Sequence, residues 1–350
     1  RAASANAHRA IWQRQPQTEI GRQHGALAIS HYSLVNNKAV YSKAAELADA
    51  MLDKLPVGSF TEEVGSQGVA QWRRGREWAK SNIVAQKMIK KNLSRDKQRL
   101  RQLHYYMGEN YQNLGQWANS VASYRLARAQ GDTADLHMRM IYAMYQNAAT
   151  KPADIAAQTT DYMRKYPQRI DRFTAQSYLA QVQLRGTDAD KAAGLQTLKH
   201  LLPVAPRTNS NASLFVRLSG SEPPQLAALE QSLRNAVTQS KIPYETAYIR
   251  YVLAFEVLRD RVKDPVKTKQ VMRELISQSP TNDGYTQNSV NWLLYNAADE
   301  NEFKSDLALI LKSRRQHIHL ATFRNMVAAW AKTARRNKDH KQHAQFVQAE

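Results

Sequence analysis

An all-α fold is predicted by three observations. The 350 residues contain only 13 Gly and 11 Pro, too few for the many turns of a β protein of this length. Ala, Gln, Leu, Lys and Arg, all good helix formers, are abundant. Apolar residues recur at helical spacing in segment after segment, and 43% hydrophobic content is enough to bury a core.

The elements follow in order. Residues 1–17 lack clear periodicity and read as a loosely ordered start, with Ile11 and Trp12 able to dock. Helix signals begin at Thr18. Ala26 to Val35 is apolar and rich in small residues. Tyr41 to Leu55 carries Ala44, Leu47, Ala48, Met51, Leu52 and Leu55 in register, and Pro56-Val-Gly58 ends it. One strongly basic helix is expected from about Val69 to Lys91, with Trp72 and Trp78 among its cations. A break at Asn92 to Ser94 precedes a helix pair from about Arg99 to Ala129, turning at Gly115. Ala134 to Asn147 and Ile155 to Tyr166 form the next pair, and Phe173 to Leu184 and Ala189 to Leu202 another.

Residues 204–224 concentrate Pro, Asn and Gly around the apolar anchor Leu214, Phe215 and Leu218, and read as a loop or boundary. The domain expectation is therefore 1–17 loose, 18–203 helical repeats, 204–224 boundary, and 225–350 more degenerate helical repeats. Helices resume at Gln225 to Ser240, Tyr244 to Arg261, Pro265 to Ser279, Asn288 to Ala298, Glu302 to Lys312, Ile318 to Arg335 and Lys338 to Val347.

Four of the helices end in proline, at Pro56, Pro167, Pro203 and Pro280. The intervals of 111, 36 and 77 residues are close to three, one and two units of about 37. Such a period predicts stacked helix pairs, an α-α solenoid of about eight pairs. Residues 103–129 are more specific. Gly108 follows Met107, Tyr111 precedes the turn Gly115, Trp117 follows it, and Ser120, Tyr124 and Ala127 line the second helix. This pattern resembles one tetratricopeptide repeat. Asp132 stands where that family usually has Pro. Leu179, Ala180, Gly186 and Ala192 match more loosely, as do Tyr142, Ala143 and Pro167.

The resemblance implies a right-handed superhelix of helix pairs whose first helices line an inner groove. The matching groove positions are Gln102, Tyr105, Glu109, Gln112 and Asn113. Family members that clamp a terminal carboxylate place Lys or Arg and Asn at such positions, and Tyr105 and Glu109 depart from that. Glu109 implies a groove that favours polar, partly basic character at this point. The implied function is a non-enzymatic scaffold or adaptor that binds protein.

Charge points to the partner. The net charge is +20, and it is uneven. Arg73 to Arg101 holds eleven basic and two acidic residues, a net +9, and Lys312 to Lys341 holds nine and one, a net +8. Arg73, Arg74, Arg76, Lys80 and Lys87 in the first zone, and Arg314, Arg315, Arg335 and Arg336 in the second, are candidates for contact with an acidic protein surface. A different reading of the same residues is polyanion binding, to nucleic acid, acidic polysaccharide or anionic membrane. Trp72 and Trp78 beside arginines suit stacking on bases or sugars, although a core anchor with a basic outer face accounts for them as well.

Catalytic signatures are lacking. Phosphate loops, dinucleotide fingerprints, zinc-protease and nucleophile-elbow patterns do not occur. A helical-barrel carbohydrate-active enzyme remains as a third reading. With no Cys, thiolate chemistry and disulfides are excluded. The ten His are scattered. His317 and His319 do not share a helix face, and His340 and His343 make a poor metal site, so neither metal nor cofactor is expected. No apolar run is long enough to span a membrane. A bacterial chain of the cytoplasm or periplasm is expected, and the start at Arg1 is compatible with removal of a signal peptide.

Overall fold

The computed structural model describes residues 1–93, 96–279 and 283–314. Among these the fold is all-α: seventeen α-helices and no strand. The chain divides into two compact units, the first Arg1–Val182 and the second beginning at Gln183. The division therefore falls at the end of a helix, not in the expected boundary 204–224.

The first unit contains α1 (Ala2–Arg14), α2 (Glu19–Ser33), α3 (Lys38–Lys54), α4 (Ser59–Arg74), α5 (Trp78–Lys90), α6 (Lys97–Asn113), α7 (Trp117–Gln130), α8 (Ala134–Gln146), α9 (Pro152–Lys165) and α10 (Arg172–Gln183). From α1 to α9 each helix packs on the next in the chain, the order of a solenoid. Residues 1–17, expected to be loose, hold α1 instead. Ala5 and Trp12 are buried, and the Tyr32 hydroxyl donates to Asn6 Oδ1 at 2.5 Å. With only a few anchor residues, α1 carries too weak a periodic signal to be read alone.

Apolar stripes join into successive cores. Trp12, Ile29, Tyr32, Leu47, Met51 and Val64 fill the first. Leu52, Val69, Trp72, Val84, Met88, Leu103 and Met107 fill the second. Tyr124, Met140, Ile141, Ile155 and Tyr162 belong to the third. Helix α3 serves two of them, since Ala44, Leu47 and Met51 face one core and Ala45 and Leu52 the next.

The expected continuous basic helix from Val69 to Lys91 is broken. Helix α4 stops at Arg74, and Arg76 adopts a left-handed φ of 60°. The turn is a structural copy of the one at Gly115, thirty-nine residues later. Glu77 N–H donates to Trp72 O at 2.9 Å, and Gln116 N–H to Tyr111 O at 2.9 Å. The Ser81 hydroxyl donates to Val69 O at 3.2 Å, and the Ser120 hydroxyl to Gly108 O at 2.9 Å. Trp78 and Trp117 each open the second helix. The copy was hidden because Arg76 occupies the left-handed position that Gly115, at φ 70°, fills without strain.

Close helix approach depends on small residues. A Cβ on Gly108 would lie 2.5 Å from the Tyr124 ring, and one on Gly65 would lie 2.8 Å from Met88. Tyr124 is fully buried, so α7 rests its largest core side chain on a bare stretch of α6.

The second unit contains α11 (Asp188–Leu201), α12 (Asn211–Leu218), α13 (Pro223–Gln239), α14 (Pro243–Val252), α15 (Pro265–Gln278), α16 (Gly284–Tyr295) and α17 (Glu300–Arg314). A capping box at Thr187 and Asp190 starts α11. The stretch expected as a boundary loop holds α12, with Phe215 and Val216 buried. The expected helix Tyr244 to Arg261 widens beyond α14 into a π-helical stretch, Leu253–Val262, closed by Lys263 at φ 58°. The helices expected at 318–335 and 338–347, the end of the second basic zone, and His317, His319, His340 and His343 lie outside the described residues.

Substitutions at the two matching turns should differ in effect. Gly115→Ala is expected to destabilise by about 1 kcal/mol, because a side chain is forced into the left-handed region. Arg76→Gly is expected to be neutral or to stabilise by up to about 1 kcal/mol, since the same cost is removed. Denaturant melts of both variants check this. Gly108→Ala should cost about 1–3 kcal/mol by overpacking against Tyr124, measured in the same way.

Candidate functional site on the even-numbered helices

Helices α4, α6, α8 and α10 carry a recurrent set of side chains. Tyr106, Tyr142 and Tyr178 are spaced by 36 residues, and so are Arg73, Glu109, Tyr145 and Gln181. These positions meet from one helix to the next. The Arg73 guanidinium pairs with Glu109 at 2.6 Å, stacks on the Tyr106 ring at 4.0 Å, and donates to Tyr106 O at 3.3 Å. Tyr142 lies 5.7 Å from Tyr178 between ring centroids, and Tyr145 stacks on Tyr178 at 4.5 Å. The Tyr145 hydroxyl donates to Gln181 Oε1 at 2.9 Å. Trp117, at the start of α7, meets the edge of Tyr142 at 6.1 Å.

Glu109 is the electrostatic centre of this face. Its carboxylate accepts from Arg73, from the Tyr105 hydroxyl at 2.9 Å, and from Arg139 at 2.8 Å. Burial, followed by the bond to Glu109, pushes the Tyr105 hydroxyl up to about 12, so it remains a donor at neutral pH. The expectation that Glu109 would favour a basic partner is therefore corrected. Two arginines already answer its charge, and Arg139 is 44% exposed beside it. A charged pair that is half-buried and doubly donated is held in place rather than offered to a ligand.

Two clefts open on the same face. One, of about 220 Å³, lies between α4 and α6 and is lined by Glu63, Ser66, Ala70, Arg99, Gln102 and Tyr106. The other, of about 210 Å³, lies between α6 and α8 and is lined by Arg101, Gln102, Tyr105, Thr133, Asp135 and Leu136. Gln102 borders both, and Tyr105 borders the second. Gln112 is half-buried, and Asn113 is exposed with its amide donating to Glu109 O at 2.8 Å. Neither of these two lines the clefts.

The first basic zone does not form one face. Lys87 bridges Asp49 at 2.5 Å and Asp53 at 2.9 Å, Lys91 donates to Leu52 O at 2.6 Å, and Arg99 pairs with Glu62 at 3.3 Å. Together with Arg73 they are turned to acceptors that lie outside residues 73–101, which a count within that window misses. Arg74, Arg76 and Lys80 are exposed around the α4–α5 turn, with the Lys80 ammonium 4.6 Å from the Trp72 ring. Trp72 is buried and is a core anchor; Trp78 is half-buried. The Arg314 side chain, Arg315, Arg335 and Arg336 lie outside the described residues.

A second polar cluster joins α7, α8 and α9. Asp132, His137 and Asp161 place ligand-type atoms within 4.8 Å of one another. Three cations already satisfy the carboxylates. Arg128 forks onto Asp132 at 2.9 and 2.8 Å and reaches Asp161 at 3.2 Å, Lys165 bridges both, and Arg164 pairs with Asp161 at 2.6 Å. This is an ion clamp between helices, and it gives Asp132 a structural task. Burial raises the Asp161 carboxyl, but the bonds from Lys165 and Arg164 outweigh it and hold the group at about 2. His137 is fully buried, both ring nitrogens lack a hydrogen-bond partner, and burial, then the nearby Arg128, pushes it down to about 4.

No protein-family model matches the chain, and no curated protein matches it in sequence. Among the described residues no helix is long and apolar enough to cross a membrane. Sequence reasoning did not single out Arg139, Tyr145 or Gln181, and it noticed Tyr142 only as a loose repeat match. A 36-residue recurrence marks Tyr142 from Tyr106, and Tyr145 and Gln181 from Arg73 and Glu109, while no such recurrence marks Arg139.

The His137 environment sets a pH dependence. Its folded value lies below the ordinary 6.5, so the neutral form is favoured by folding. That contribution is fully present above pH 6.5 and is lost as pH falls toward 4. Urea melts across this window should show stability falling with acid, and His137→Gln should shallow the slope. An unchanged slope in the variant would refute the assignment.

Proposed function

We propose that the chain is a non-catalytic scaffold of tetratricopeptide-like helix pairs, holding an extended segment of a partner protein against α4, α6, α8 and α10. The observation that carries this reading is the 36-residue recurrence of Tyr106, Tyr142 and Tyr178, the first of which lines one of two clefts that share Gln102. Recurrent aromatic and polar side chains on alternate helices offer an extended chain repeated apolar contact and hydrogen bonding. Tyrosine supplies much contact area for little lost side-chain freedom. The copied turns at Arg76 and Gly115, with Ser81 and Ser120 in the same bond, support a repeated unit.

An acidic partner surface suits the net charge of +20 and the exposed Arg74, Arg76 and Lys80 around the α4–α5 turn. Polyanion binding is the weaker reading, because Arg73, Lys87, Lys91 and Arg99 are turned to partners within the chain.

Site-specific photo-crosslinking separates the readings. A photoreactive residue at Gln102 should yield protein adducts in cells, while one at the exposed Arg125 on α7 should not. Tyr142→Ala and Tyr178→Ala should each weaken capture, by about 1–2 kcal/mol where affinity is then measured with the identified partner. Equal adducts at both positions, or nucleic-acid adducts in place of protein, would overturn the proposal.

A further inference from the structure

Three of the six histidines in the described residues meet in one seam between α1 and α2. His24 and His31 are seven residues apart on α2, two helical turns, and so share a face. Helix α1 places His8 between them. The His8 and His24 rings meet nitrogen to nitrogen, with centroids 4.9 Å apart and a hydrogen bond of 2.7 Å between their Nδ1 atoms. The His31 ring stands edge-on to His8 at 5.3 Å, and its Nδ1 is 2.9 Å from the Ser4 hydroxyl. All three rings are half-buried.

The placement is built into the packing. Trp12 and Ala5 anchor α1, and Gly25 brings the helices close, since a Cβ there would lie 3.0 Å from Trp12. The seam differs from the Asp132 cluster in the property that decides metal binding. There, Arg and Lys occupy the ligand atoms. Here, among the described residues, no Lys or Arg bonds to the imidazoles, whose polar partners are one another and the Ser4 hydroxyl.

We infer that the apposed Nδ1 atoms of His8 and His24 form a transition-metal site of the Zn²⁺, Co²⁺, Ni²⁺ or Cu²⁺ type in the α1–α2 seam, with His31 as third ligand. Neutral imidazole is the side-chain ligand these ions share. Metal–nitrogen bonds of about 2.0–2.1 Å in tetrahedral geometry hold two ligand nitrogens about 3.3 Å apart. The proton now held between the two Nδ1 atoms moves to Nε2 of its ring, and the rings part by about half an ångström and turn so that both lone pairs converge on the ion. His31 joins by turning its ring away from Ser4, and water completes the shell, leaving a position open to exchange.

The full 350-residue chain should bind one equivalent of Zn²⁺ by calorimetry, and Co²⁺ should develop the visible bands of a four-coordinate site. His24→Gln and His8→Gln should each weaken binding by at least about 10–100-fold, the loss that removal of even an outer partner produces. His31→Gln should also weaken binding and alter the Co²⁺ spectrum. His200→Gln, on an exposed position of α11, should leave both readouts unchanged. Circular dichroism checks that each variant is folded. Zn²⁺ should also raise the melting temperature of the parent chain but not of His24→Gln. Absence of saturable binding, or affinity unchanged in both His8→Gln and His24→Gln, overturns the site. An unchanged His31→Gln spectrum overturns the third ligand.

Discussion

The Tyr124 ring resting on the bare face of Gly108 sets how closely α6 and α7 approach. Much of the first unit depends on that contact. It lets the Ser120 hydroxyl reach Gly108 O, and it fixes the helix from which Glu109 and Tyr105 project. From there Glu109 reaches back to Arg73 on α4 and forward to Arg139 on α8. Core packing sets the spacing between helices, and the polar face then records that spacing as a 36-residue recurrence.

Charge on this chain is largely an internal matter between neighbouring helices. Arg73, Lys87 and Arg128 each meet a carboxylate contributed by another segment. Exposed ion pairs add little stability, but half-buried and multiply bonded ones set register. The Asp132 clamp does this for α7 to α9, where the turn lacks the Pro that a stiffer connection would use. A charge count over a single stretch such as residues 73–101 therefore overstates the positive surface of that stretch, because the carboxylates that answer it lie elsewhere in the chain.

The all-α class, most helices and the turn at Gly115 were legible in the sequence, because helical periodicity and a left-handed glycine are local signals. Helix α1 was not, since a few anchors in a polar segment make no visible stripe. The break at Arg74 was missed because Arg76 stands where glycine would have announced the turn. On the candidate face, Gln102 and Tyr105 both line the cleft between α6 and α8. Arg139 and Gln181 depend on contacts between helices about 30 to 36 residues apart, which no single repeat contains. The histidine seam needs α1 to be folded against α2 before its three members become neighbours.

The division of α3 between two cores has a further consequence. Ala44, Leu47 and Met51 belong to one core and Ala45 and Leu52 to the next, so neither can melt without baring one side of a helix the other needs. Helix α6 is placed in the same way, with Leu103 and Met107 in the second core and Tyr105 packed against the third. Shared helices couple neighbouring free energies, as in a one-dimensional chain of linked elements. Opening therefore starts where a helix has a neighbour on one side only, and it travels inward from the ends of the stack instead of breaking out in its middle.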